Sequence, residues 1–69
     1  MNGKSNMTVE TALALTIRRF SSPAAAKSFL VGTQYQNVTP VIMGDDGYFW
    51  VCSSPRQAYT LIGAGYEEA

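Results

Sequence analysis

The sequence predicts a small single domain of the α+β class, ordered β-α-β-β-α, with three mainly antiparallel strands and two helices on one face of the sheet. Three observations predict it. Ser21-Ser22-Pro23 recurs 32 positions later as Ser53-Ser54-Pro55. Each copy opens an apolar stretch of helical spacing, with Ala26 matching Ala58, Phe29 matching Leu61 and Leu30 matching Ile62. Finally, Gly44-Asp45-Asp46-Gly47 separates two apolar runs with the composition of a hairpin turn.

Residues 1–7 are mostly polar and contain Gly3, and they read as a disordered lead-in to a domain over residues 8–69. Thr8 to Phe20 is periodic in two ways. Val9, Leu13, Ile17 and Phe20 would make a helical stripe, whereas Val9, Leu13, Leu15 and Ile17 also alternate with more polar neighbours as a strand does. The duplication and the β-branched residues favour a strand over Ala12 to Phe20.

The Ser-Pro pairs are helix starts. A Ser at the N-cap accepts from a first-turn N–H that has no helical partner, and Pro at the next position gives up an N–H that would have none. Ser22-Pro23 and Ser54-Pro55 both fit, and Gly32 and Gly63 to Gly65 supply stops. Thr33 to Asn37 is a polar connector. Val38 to Met43 then reads as a strand, led by a Pro40 that prefers an edge, and Tyr48 to Cys52 returns after the turn.

Composition narrows the functions open to the chain. A domain of 69 residues buries only about 60% of the surface its unfolded chain exposes. Five basic and five acidic residues leave no net charge to draw in nucleic acid, anionic lipid or an acidic substrate from a distance. The absence of histidine removes the commonest general base, metal ligand and neutral-pH switch. No apolar run approaches the roughly 20 residues that span a bilayer, and no apolar core follows Lys4 as a signal peptide requires. With one cysteine and hence no intrachain disulfide, the expected location is cytoplasmic.

The chemical inventory carries no catalytic constellation, cofactor motif or metal site. Asp45 and Asp46 lack the further acidic ligands of a calcium loop, so they read as turn residues. Cys52 has no histidine to activate it and reads as a small buried hydrophobe. The serines read as caps, and Gly63 and Gly65 lack the Lys and hydroxyl spacing of a phosphate loop. No enzyme activity is expected.

One reading reaches toward function. Whether the turn centres on Asp45-Asp46 or on Asp46-Gly47, alternation places Val41, Met43, Tyr48 and Trp50 on one side of the hairpin and Ile42, Phe49 and Val51 on the other. With both helices over the second side, Val41, Met43, Tyr48, Trp50 and, from the first unit, Arg18 are left uncovered. Exposed apolar sheet surface marks an interface, and Trp, Tyr and Arg carry much of the binding energy at interfaces. The expected function is that of a small protein–protein interaction module, an inhibitor or adaptor of the kind phages and other mobile elements encode. Its expected partners are a larger protein and a second copy of itself in a homodimer. The competing reading is a single-stranded nucleic-acid binder that stacks bases on Tyr48 and Trp50 beside Arg18, against which the neutral net charge and scattered cations weigh.

Overall fold

The computed structural model describes residues 7–35 and 37–69, so the expected lead-in lies outside the described residues except for Met7. Among the described residues the chain is a small α+β domain of three helices and a four-stranded antiparallel sheet. The doubly periodic segment divides in two. Val9–Ala14, rich in helix formers, makes α1, with Thr8 Oγ1 accepting from the Thr11 N–H at 3.1 Å. Thr16–Phe20, which opens with β-branched Thr16 and Ile17, makes β1. The strand expected from Ala12 therefore starts four residues later.

Both Ser-Pro signals start helices, α2 at Pro23–Leu30 and α3 at Pro55–Gly63. Ser22 Oγ accepts from the Ala25 N–H at 3.1 Å. Ser54 holds the same extended cap conformation, but its hydroxyl donates to Gln57 Oε1 instead of capping the backbone. Between the helices lie β2 (Ile42–Met43) and β3 (Phe49–Cys52), and after α3 a fourth strand, β4 (Glu67–Glu68), returns beside β2. Sheet order is β1-β3-β2-β4, with every neighbouring pair antiparallel.

The register corrects the expected faces of the hairpin. Met43 pairs with Phe49 and Ile42 with Trp50, and the Gly44 N–H donates to the Tyr48 carbonyl at 2.8 Å. The loop therefore has three residues, Asp45 to Gly47, with Gly47 left-handed at φ 84°, where both expected turns had two. One added residue sends every later side chain to the opposite face. Ile42, Trp50 and Cys52 face one side, while Val41, Met43, Phe49 and Val51 face the other.

The same register overturns the placement of two helices on one face. Phe20, the last residue of β1, lies opposite Phe49, three residues before Cys52 at the end of β3, so the two strand ends point to opposite faces. Each helix packs over the residue that introduces it. On one face α2 brings Ala26 and Leu30 onto Val41 and Val51, with Phe20, Phe29 and Phe49 at the margin. On the other, α3 and α1 bring Ala58, Leu61 and Ala12 onto Ile42, Trp50 and Cys52, joined by Tyr66 and flanked by Met7 and Leu15. The sheet is thus a middle layer between two small cores.

Candidate functional site

Of the five residues expected to form one uncovered face, the structure separates two from the rest. Trp50 is fully enclosed and Val41 is 3% exposed, in opposite cores. Met43 and Tyr48 are 44% and 45% exposed, but they too lie on opposite faces, and Arg18 shares the face of Met43. The expected face is therefore not one surface.

One group of exposed side chains gathers around β1, an edge of the sheet. At its start the pairing slips from Thr16↔Cys52 to Arg18↔Val51, leaving Ile17 as the extra residue of a bulge. Ile17 is 52% exposed. It lines a groove of about 500 Å³ with Leu13, Thr16, Arg18, Arg19 and Tyr48. Arg18 and Arg19 project to the two faces of the edge. The Arg18 guanidinium rests 5.3 Å from the Phe20 ring centroid and 5.2 Å from that of Phe29, close enough for cation–π attraction. Arg19 sits 5.4 Å over the Tyr48 ring and pairs with the Asp46 carboxylate.

Asp46 organises this end of the molecule. Its Oδ1 accepts from the Tyr48 N–H and from the buried Trp50 indole N–H, each at 3.0 Å, while Oδ2 accepts from Arg19. Desolvation alone would raise its pKa. The hydrogen bonds from Tyr48, Arg19 and Trp50, with the charge of Arg19, outweigh it and hold the carboxyl below its usual value. The neighbouring Asp45 accepts from the Tyr66 hydroxyl at 2.9 Å. Burial, and the donation of that proton to Asp45, push the Tyr66 pKa up to about 12. Both aspartates thus serve the turn, and among the described residues no group of three or more potential ligands is placed to hold a metal ion. Cys52 is buried, and that burial pushes its thiol up to about 11, against a smaller lowering by the hydrogen bond with Thr16.

Compared with protein-family models, curated proteins and solved structures, the chain matches none. The site is therefore read from its own geometry.

A second concavity, of about 310 Å³, flanks the other edge of the sheet. It is lined by Val31, Val38, Pro40 and Tyr59 with Lys27, Thr39 and Glu68, and the buried Thr39 hydroxyl has no hydrogen-bond partner among the described residues. Sequence reasoning missed Ile17 and Arg19, and it read Asp46 as a turn residue without its bonds to Arg19 and Trp50. The ion pair depends on the β1–β3 register, which no local signal reveals. Ile17 could have been found by noting that a β-branched residue followed by two arginines suits an exposed edge better than a covered strand.

Proposed function

We propose that this chain is a small non-catalytic protein-interaction module, an inhibitor or adaptor that docks on a larger protein through the β1 edge. The observation that supports this reading most is the combination found there: an edge strand whose bulge presents Ile17, bracketed by Tyr48 and two exposed arginines, over an open groove. Aromatic and arginine side chains around an apolar contact are the composition of interface hot spots, and an edge strand offers backbone hydrogen bonds to an added strand. Arg18 and Arg19 are held by ring contacts, which lowers the entropy lost when they bind. The nucleic-acid reading loses one of its two stacking rings, because Trp50 is enclosed. No helix among the described residues is long and apolar enough to cross a membrane, and the buried free thiol of Cys52 suits the reducing conditions of a cytoplasmic location.

The test is capture from a host extract with the wild-type chain and with Ile17→Asp, a change at an exposed position that leaves both cores intact. The reading expects a protein retained by the first and lost by the second. Retention of single-stranded oligonucleotides, with affinity falling steeply as salt rises, would replace it with the nucleic-acid reading.

A further inference from the structure

The two edges of the sheet complement each other. Row by row, the register places Arg19, Trp50, Ile42 and Glu68 across one face, since Arg19 pairs with Trp50, Trp50 with Ile42 and Ile42 with Glu68. That row begins with a cation at the β1 edge and ends with an anion at the β4 edge. On the other face the next row runs Phe20, Phe49, Met43, Glu67, and the β1 edge again carries a cation two residues away, at Arg18. Both glutamates are exposed.

The backbone agrees. In an antiparallel ladder a residue's N–H and C=O point to the same side, and successive residues point to opposite sides. The Gly44 N–H to Tyr48 carbonyl bond fixes Trp50 as bonding toward β2, so the N–H and C=O of its β1 neighbour Arg19 turn outward. The Ala69 N–H to Val41 carbonyl bond, 2.8 Å, likewise fixes Glu68 as the residue of β4 whose backbone turns outward. Strand directions alternate through β1, β3, β2 and β4, so a further strand antiparallel to β4 runs in the same direction as β1.

We propose that this chain associates head to tail with a second copy of itself, β1 of one copy adding to β4 of the next and extending one continuous antiparallel sheet. The inference rests on β1 being the docking strand, and it assigns that edge, in the protein free of its larger partner, a second copy of this chain as occupant. Simple translation along the row, with no turning over, brings Glu68 opposite Arg19 of the second copy. Their outward backbone groups form a hydrogen-bonded pair and their side chains share a face. Arg19 keeps Asp46 and has donors to spare for a second carboxylate, because its guanidinium carries five N–H groups and its side chain is 48% exposed. Glu67 becomes the diagonal neighbour of Arg18 of the second copy, within reach of so long a side chain. Among the described residues Arg18 has no carboxylate partner of its own. The contact joins unlike surfaces, so it does not close at two copies, and the expected product is a growing series of oligomers.

The experiment is sedimentation equilibrium on the full chain, alone and as Glu67→Gln/Glu68→Gln, at low and high salt, with circular dichroism as a check on folding. The wild type should rise above its 7.5 kDa chain mass as concentration increases to millimolar. It should fall back toward that mass on going from about 0.1 M to about 1 M salt, where the Debye length drops from about 10 Å to about 3 Å. The double variant should remain folded and weaken the association at least tenfold. A wild type that stays at the chain mass at millimolar concentration and low salt overturns the proposal, as does association that survives high salt or the double variant. The docking reading of β1 is judged separately. The double variant leaves that edge intact, so it should still capture the partner that Ile17→Asp loses.

Discussion

Replacing Gly44 with alanine probes the contact on which the hairpin, the Trp50 core and the Asp46 hub all depend. A Cβ at Gly44 would overlap Cε2 and Nε1 of the Trp50 indole and lie 2.6 Å from Cζ2. Carbon atoms prefer about 3.5–4.0 Å, so the ring must retreat by about 1.5 Å. Trp50 is fully enclosed between Ile42, Ala58, Leu61 and Tyr66, and overpacking at such a site costs about 1–3 kcal/mol. The retreat also breaks the 3.0 Å indole hydrogen bond to the Asp46 carboxylate, of a kind worth about 1.5–3 kcal/mol. The two together come to roughly 2.5–6 kcal/mol. For 69 residues the whole stability is only about 3–10 kcal/mol. Gly47→Ala is the control. Nothing lies within 4 Å of a Cβ there, and the cost is the left-handed φ of 84° alone, about 1–2 kcal/mol. Urea unfolding followed by the fluorescence of Trp50, the single tryptophan, should rank wild type above Gly47→Ala and Gly47→Ala well above Gly44→Ala. A Gly44→Ala protein within about 0.5 kcal/mol of wild type would refute the reasoning.

Three more outcomes follow from the same contacts. Ser22→Ala should cost about 1 kcal/mol through loss of its bond to the Ala25 N–H, and Ser54→Ala should cost less, because Ser54 caps no backbone N–H; urea midpoints measure both. Tyr66 titrates higher folded than unfolded, so its contribution is fully present below about pH 10, its unfolded value, and is lost as pH rises toward about 12. Stability measured across that window should fall in the wild type by more than in Tyr66→Phe, and equal slopes would show the phenol to be unshifted. Cys52, buried with its thiol raised to about 11, should react with a thiol reagent slowly when native and rapidly in urea, and fast native labelling would contradict its place in the core.

The α+β class, both long helices and the hairpin were legible because each is announced within a few residues: a Ser-Pro cap before an apolar stripe, and a Gly-Asp-Asp-Gly turn between apolar runs. The faces were not. They depend on whether the turn holds two residues or three, and the left-handed Gly47 that settles it looks like any turn glycine in the sequence. The expected interface failed as a single face for that reason, with Trp50 turned into the core by one residue of register. The duplication was a sound guide to local structure and a poor one to layers. Arg18 and Trp50, 32 apart, fall in adjacent register pairs, Arg18↔Val51 and Arg19↔Trp50, and so face opposite ways. β4 was missed because a two-residue strand of glutamates carries neither alternation nor β propensity, and it forms only because Tyr66 anchors in the core just before it.

The claim that the β1 edge is the docking surface is tested most directly by amide chemical shifts of the labelled wild-type chain from micromolar to millimolar concentration at low salt. Arg19 and Ile17 on one edge and Glu68 on the other should shift together and furthest, with the central strand β3 little changed. Shifts confined to other surfaces, or a spectrum independent of concentration that also leaves β1 unmoved when a captured partner is added, would contradict it.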